Sequence, residues 1–247
     1  MNRHIRRILA LAFWLALWQL CALKVGKELI LPGPFAVVRA LIALASQSVF
    51  WINTVTTIIR IISGYLLGVM TAVILAVLTC RFAVADTLIS PVIRVVRATP
   101  VASFIILALL WMGKSNVPVM MAMLMVIPVV WENITAQYRA TDRNLIEMAQ
   151  AYRLSDWKKF RYIYVPSAFP GFLSGCLTAM GLAWKSGIAA EVLSQPKAAI
   201  GSNLYYSKLY LETPELFAWT AVVVILSMLI EKIIRFLLFR GVSHENK

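Results

Sequence analysis

The sequence predicts an all-α membrane protein, a bundle of about six helices crossing a bilayer. Three observations carry that expectation. Of 247 residues, 61% are hydrophobic and 14% charged, whereas an ordinary soluble domain is about 25% charged. The apolar residues gather into runs of about 20, the length a helix needs to cross hydrocarbon. The basic residues, 24 Lys and Arg against 11 Asp and Glu, fall between those runs and not along one face. That pattern suits membrane topology and argues against a nucleic-acid surface. Runs of this density leave little room for a separate soluble unit, so residues 1–247 read as a single transmembrane domain.

Inside hydrocarbon an unpaired backbone group costs several kcal/mol, so each lipid-facing run must close its hydrogen bonds within a helix. The runs are 8–23, 54–79, 87–112, 117–137, 167–193 and 216–239. The first follows Arg3, Arg6 and Arg7 and imitates a signal peptide. No small-residue cleavage site follows it, and Cys21 stands behind Trp18, Gln19 and Leu20, so the run is expected to be kept as a span. After it, Leu31-Pro32-Gly33-Pro34 restricts the chain ahead of a short apolar helix over 35–46, expected at the outer interface.

An even number of spans puts both termini on one side. Arg3, Arg6, Arg7, Arg81, the basic residues of the 138–166 loop, Arg240 and Lys247 share that side, which the positive-inside rule makes cytoplasmic. The opposite loops hold Lys24, Lys27, Arg39, Lys114, Lys197 and Lys208, diluted by Glu28, Glu212 and Glu215. Both ends inside is therefore the expected topology. Trp14, Trp18, Trp51, Trp111 and Trp219 lie near run ends and read as interface belts. Gly64 and Gly68, and Gly171, Gly175, Gly181 and Gly187, allow close helix approach, within the bundle in preference to a dimer contact.

Ionisable residues inside spans are costly, about 2.5 to 3.5 kcal/mol each at a helix centre. Arg60, Glu132, Lys185 and Glu191 qualify. Lys185 and Glu191 stand roughly 240° apart on an ideal helix and need partners elsewhere, such as Glu132 for Lys185. Two readings stay open: Glu132, Trp184, Lys185 and Glu191 belong to a translocation path, or they form ion pairs that fix bundle register. Cys21, Cys80 and Cys176 lie in apolar stretches without paired spacing, and His4 and His244 lie at opposite ends. Nothing here suggests a disulfide framework, a metal site or a nucleophile with its base.

The longest polar stretch, 138–166, has helix signals of its own. Asp142 and Ser155 can each cap a short helix, with Asp156 at the positive end of the second. Leu145, Met148, Ala149 and Tyr152 recur at helical spacing, giving an amphipathic rod too short to cross a membrane and suited to docking.

Glu147-Met148-Ala149, with Arg153 four positions after Ala149 and then Ile163, Val165 and Pro166, resembles the EAA loop of ABC importer permeases. That family's pattern is Glu-Ala-Ala, three residues, Gly, nine residues, Ile, one residue, Leu-Pro. The spacing matches throughout. Met148, Arg153 and Val165 depart in identity, and Arg153 stands where glycine would reverse the chain between two helices. Leu31 to Pro34, Arg60 with Gly64 and Gly68, Arg97-Ala98-Thr99-Pro100 and Ala190-Glu191 also resemble the nitrate, sulfonate and taurine branch.

The resemblance implies a type I importer fold and a bacterial inner-membrane location. It also implies a second permease subunit, expected to be another copy of this chain, two cytoplasmic ATPases and an external substrate-binding protein. Asp142, Glu147, Met148, Ala149, Tyr152, Arg153, Ser155, Ile163 and Pro166 would form the ATPase-coupling surface. The sequence has no G-x-x-x-x-G-K-[ST], so this chain carries no nucleotide motif of its own and ATP with Mg would be bound by the partner. A secondary transporter or channel would explain the spans and buried charges but leave the loop a coincidence. A membrane enzyme is weaker still, for want of clustered carboxylates.

Overall fold

The computed structural model describes residues 3–243, which leaves His244 and Lys247 outside. The described residues are helical, with short connections and no strand. The first two helices are α1 (Arg3–Val25) and α2 (Pro34–Ala45), the latter starting at a proline whose missing N–H costs nothing in a first turn. α3 (Ser48–Arg81) is 34 residues long, roughly 50 Å at the α-helical rise, and passes beyond the hydrocarbon at its ends.

The third apolar run departs from expectation. In place of one span over 87–112 there are two helices, α4 (Ala83–Ala98) and α5 (Val101–Trp111), bent by 105°. Pro100 is the cause. It cannot donate to the ladder, and it forces Thr99 before it into an extended conformation, φ −81° and ψ 132°.

α6 (Val117–Arg139) is the central post of the bundle. α7 (Arg143–Ala151) and α8 (Asp156–Lys159) follow in the polar loop. A π-helical turn at Phe160–Tyr164 then feeds α9 (Val165–Ser194), so the helical segment entering the membrane begins well before the apolar run at 167. α10 (Ile200–Leu209) and α11 (Thr213–Ser243) complete the order. α1, α3, α6 and the Asp156–Ser194 segment are each long and apolar enough to cross a membrane, and the bent α4–α5 pair is a further candidate span. α11, at 31 residues, covers the whole of the last run.

The core lies among α3, α6 and α9. Ile61, Ala72, Ala76, Ala122, Val126, Val130, Ala179 and Ala183 are fully enclosed, and small residues set how closely the helices approach. A methyl on Gly64 would strike the Val119 carbonyl, one on Gly68 would come within 2.7 Å of Val126 Cβ, and one on Gly171 would strike the Asn133 carbonyl. These glycines therefore serve packing inside the chain; Gly181, by contrast, has nothing within 4 Å. The other faces are apolar and exposed, as with Ile59, Leu66, Met70 and Ile74 on α3, the division expected of a helix between protein and lipid.

Of the tryptophans read as interface belts, Trp14, Trp51 and Trp111 are exposed. Trp219 is not: it is 3% exposed and stacks on Phe50 at 5.0 Å, so it is a core residue. Trp18 is half-buried, donates to the Pro32 carbonyl at 3.1 Å and stacks on Phe217. It is the main anchor of α1, whose other large apolar side chains face outward while the small Ala22 is buried. Cys21, Cys80 and Cys176 are free thiols.

Candidate functional site

At the loop end, the Asp142 carboxylate caps α7 by accepting from the Asn144 N–H at 2.9 Å. Ser155 occupies the cap position of α8 with an extended backbone, but its side chain makes no capping bond. Asp156 is the acid that matters there, lying 3.7 Å from Lys159 Nζ and 3.8 Å from Arg81. Arg139 at the end of α6 reaches Asp86 of α4 at 2.9 Å, and Tyr138 stacks on Tyr164 at 4.5 Å. Ionic and aromatic contacts thus tie the polar loop to the ends of α3, α4 and α6.

α7 stops in a Schellman turn. The Leu154 N–H returns to the Ala149 carbonyl and the Arg153 N–H to Gln150, each at 2.9 Å. Arg153 is at φ +49°, the left-handed conformation that glycine takes without cost. The departure at this position therefore alters the residue but not the shape of the turn.

The amphipathic face divides. Ala149 is 0% exposed, seated within its own chain, so it positions α7 and does not present itself to a partner. Leu145, Met148 and Tyr152 stand in the open, Tyr152 at 76%. Glu147 is exposed and pairs with Arg143 one turn earlier at 3.0 Å. Ile163 is buried in the π-helical turn, and Pro166 opens α9.

The membrane-embedded charges are arranged differently from expectation. Glu132 pairs with Arg97 of α4, not with Lys185. Lys185 is exposed and makes no hydrogen bond or ion pair among the described residues. Trp184 is buried, donating to the Val223 carbonyl of α11 at 3.1 Å. Glu191 is 0% exposed and fully ligated: the Thr57 hydroxyl lies 2.9 and 3.0 Å from its two oxygens, the Gly201 N–H donates at 3.1 Å and Arg60 Nη1 at 3.4 Å.

The surrounding bonds extend this cluster. Thr57 accepts from the Ile200 N–H at 3.0 Å, while Arg60 donates to the Lys197 and Ala198 carbonyls at 2.9 Å each. A methyl on Gly201 would strike Glu191 Cβ, so only glycine lets α10 come this close. Sequence reasoning found Arg60 and Glu191 but not Thr57, Ile200 or Gly201. A small residue beginning a short helix just after a span was the available signal.

Between α4 and α6 lies a groove of about 430 Å³ lined by Ser90, Ile93, Arg94, Arg97, Trp131, Glu132, Thr135, Ala136 and Arg139. Its hydroxyls and indole point their hydrogens at the protein: Ser90 to Asp86 at 2.6 Å, Thr135 to the Trp131 carbonyl at 2.9 Å, Trp131 Nε1 to Thr79 at 3.0 Å.

Residues 64–244 match the family described as binding-protein-dependent transport system inner membrane component. The chain belongs to that family. It is the membrane-spanning permease subunit of a binding-protein-dependent ABC importer. A probable ABC transporter permease protein of Brucella melitensis biotype 1 is 25% identical over 231 residues, covering 92% of each chain. A putative aliphatic sulfonates transport permease protein of Escherichia coli K12 is 29% identical over 201 residues, covering 80% of this permease and 76% of the relative. The taurine transport system permease protein of the same organism is 22% identical over 220 residues, covering 87% and 80%.

Two solved structures share the fold of the permease. An amino acid ABC transporter aligns at a TM-score of 0.61 and 17% identity over 76% of this chain and 89% of its own. A methionine ABC transporter in inward-facing conformations aligns at 0.55 and 17%, over 85% and 96%.

Proposed function

We propose that this permease couples to cytoplasmic ATPases through α7 and carries a small anion or small metabolite delivered by an external binding protein. The observation that carries the coupling reading is the divided face of α7: Ala149 and the Schellman turn hold the helix on its own chain while Leu145, Met148 and Tyr152 are left uncovered beside Glu147. A short helix fixed at its base and apolar on its outer side suits a groove on a partner. Seated there, α7 transmits closure of the nucleotide-bound ATPases to the bundle and biases inward-facing against outward-facing states.

On this reading the working unit has two copies of the permease and two ATPases, which bind ATP and Mg, in a bacterial inner membrane with both termini inside. The sulfonate and taurine permeases among the relatives support an anionic solute. The test is capture of the neighbouring ATPase by the purified permease. A buried interfacial charge left unpaired costs about 2 to 5 kcal/mol, so Glu147→Lys and Met148→Asp should each weaken capture at least about tenfold. Unchanged capture in both variants, or transport in ATP-free liposomes driven by an ion gradient, would remove the reading.

A further inference from the structure

We propose that the cleft between the start of α3, the end of α10 and the start of α11 binds a small organic cation through its ammonium group, with Glu212 and Glu215 as counter-charge and Asn53 and Ser207 as orienting partners. The cleft lies at the end of α3 away from Arg81, and so away from the polar loop with which Arg81 pairs. The inference goes beyond the importer reading and does not rest on it.

Unmet hydrogen bonding is the first argument. Asn53 is 5% exposed and Ser207 4%, both line the cleft, and neither side chain makes a hydrogen bond among the described residues. Enclosed polar side chains nearly always have a partner, so two without one, lining the same space, mark a place where something else supplies it. Asn203 adds to them: its amide nitrogen donates to the Ala199 carbonyl at 2.8 Å, which leaves its oxygen for the cleft.

Charge is the second argument, and it is independent of the first. Glu212 and Glu215 line the cleft, and no Lys or Arg does. The Leu216 N–H donates to the Glu212 carbonyl at 3.0 Å, so both acids stand on the opening turn of α11, and neither carboxylate has an ion pair or hydrogen bond among the described residues. The positive end of α11 accounts for one acid in that turn. It gives no account of Asn53 or Ser207, whereas an ammonium group answers both observations: its charge meets the carboxylates and its N–H groups meet the amide and hydroxyl oxygens. Water satisfies the oxygens but brings no counter-charge. Tyr206 and Tyr210, stacked at 6.4 Å, offer ring faces to a cation, and Leu44 and Phe50 offer apolar wall to a short carbon chain. A bare metal ion fits less well, since the described residues hold no group of three acidic, His or Cys side chains for one, and about 600 Å³ is the size of a small-molecule site, about 300 to 1,000 Å³.

The test uses the purified full-length permease, titrated with n-butylammonium and followed by calorimetry. Saturable binding is expected, and neutral 1-butanol of similar length should give none. Glu212→Gln combined with Glu215→Gln should weaken butylammonium binding at least about tenfold, and Ser207→Ala about threefold. These exchanges are small enough to leave the melting temperature in place. Glu231→Gln, which removes an acid paired with Arg235 further along α11, should leave binding within about twofold.

Equal binding of 1-butanol, undiminished binding in the double Gln variant, or no saturable binding of butylammonium would overturn the site, as would calcium bound in its place and lost in the same variant. Native mass spectrometry tests a lipid source of the ammonium group. Phosphatidylethanolamine retained through Glu212 and Glu215, and not displaced by butylammonium, would assign the cleft to a headgroup and likewise overturn the free-cation site. The titration needs no nucleotide and no ATPase, so it stands or falls apart from docking at α7.

Discussion

Glu191 sits at the centre of a bonding pattern in which every donor comes from another helix: Thr57 and Arg60 of α3 and Gly201 of α10. A carboxylate so enclosed has no face left for a passing solute. Its chemistry is that of a clamp, holding α10 and the Lys197–Ala198 carbonyls against α3. Glu191→Ala would strand Arg60 and two further donors, and breaking a buried pair in this way typically costs about 3 to 5 kcal/mol. The expected result is low membrane abundance and a lowered melting temperature in detergent, with Thr57→Val showing a smaller loss of about 1 to 3 kcal/mol. Transport lost at full abundance with unchanged melting would instead make Glu191 a path residue. Its burial was legible in the sequence because a charge inside an apolar run is conspicuous. Its partners were not, since Thr57 and Gly201 lie 134 and 10 residues away in sequence and nothing local ties them to it.

Among the elements, the polar loop was the most readable and the third apolar run the least. Asp142, the spacing of Leu145, Met148 and Tyr152, and Pro166 are local signals, and local signals specify helix ends directly. Hydropathy carries no information about direction, so the run over 87–112 looked continuous although Pro100 divides it. The pairing of Glu132 with Arg97 follows from that bend, which keeps α4 beside α6, and it was out of reach for the same reason. The turn after α7 gives an element-scale test. A side chain in the left-handed region costs about 1 to 2 kcal/mol, partly offset by the extra freedom glycine has when unfolded. Arg153→Gly should therefore leave ATPase capture within about twofold and slow hydrogen exchange of the α7 amides slightly, a gain of no more than about 1 kcal/mol. Markedly weaker capture would show that the guanidinium of Arg153 itself touches the ATPase.

At the scale of the molecule, bundle and membrane residence follow from composition, because hydrocarbon leaves a chain little choice but helix. Orientation is a separate matter, set by the balance of basic residues. Arg81, Arg139, Lys158 and Lys159 gather at the end that carries α7, whereas Lys114, Lys197 and Lys208 lie at the other. Cysteines placed singly at Lys158 and at Lys114, in a background lacking Cys21, Cys80 and Cys176, should differ in labelling by an impermeant maleimide on intact cells. Lys114→Cys is expected to react and Lys158→Cys to react only after lysis; the reverse pattern would invert the topology.

The contact between α1 and α11 has a further consequence, for the order in which the protein is made. α1 has little of its surface inside the chain, and its anchoring ring, Trp18, stacks on Phe217 at 6.0 Å, while Thr213 hydrogen-bonds the Leu29 carbonyl at 2.6 Å. The ribosome reaches Phe217 only after nearly every other helix has been translated. Until then α1 is held by the Trp18–Pro32 hydrogen bond alone, with the face of the indole that Phe217 will cover still open. Arrival of α11 covers it, so a nascent permease halted before Phe217 would carry its first helix only half anchored.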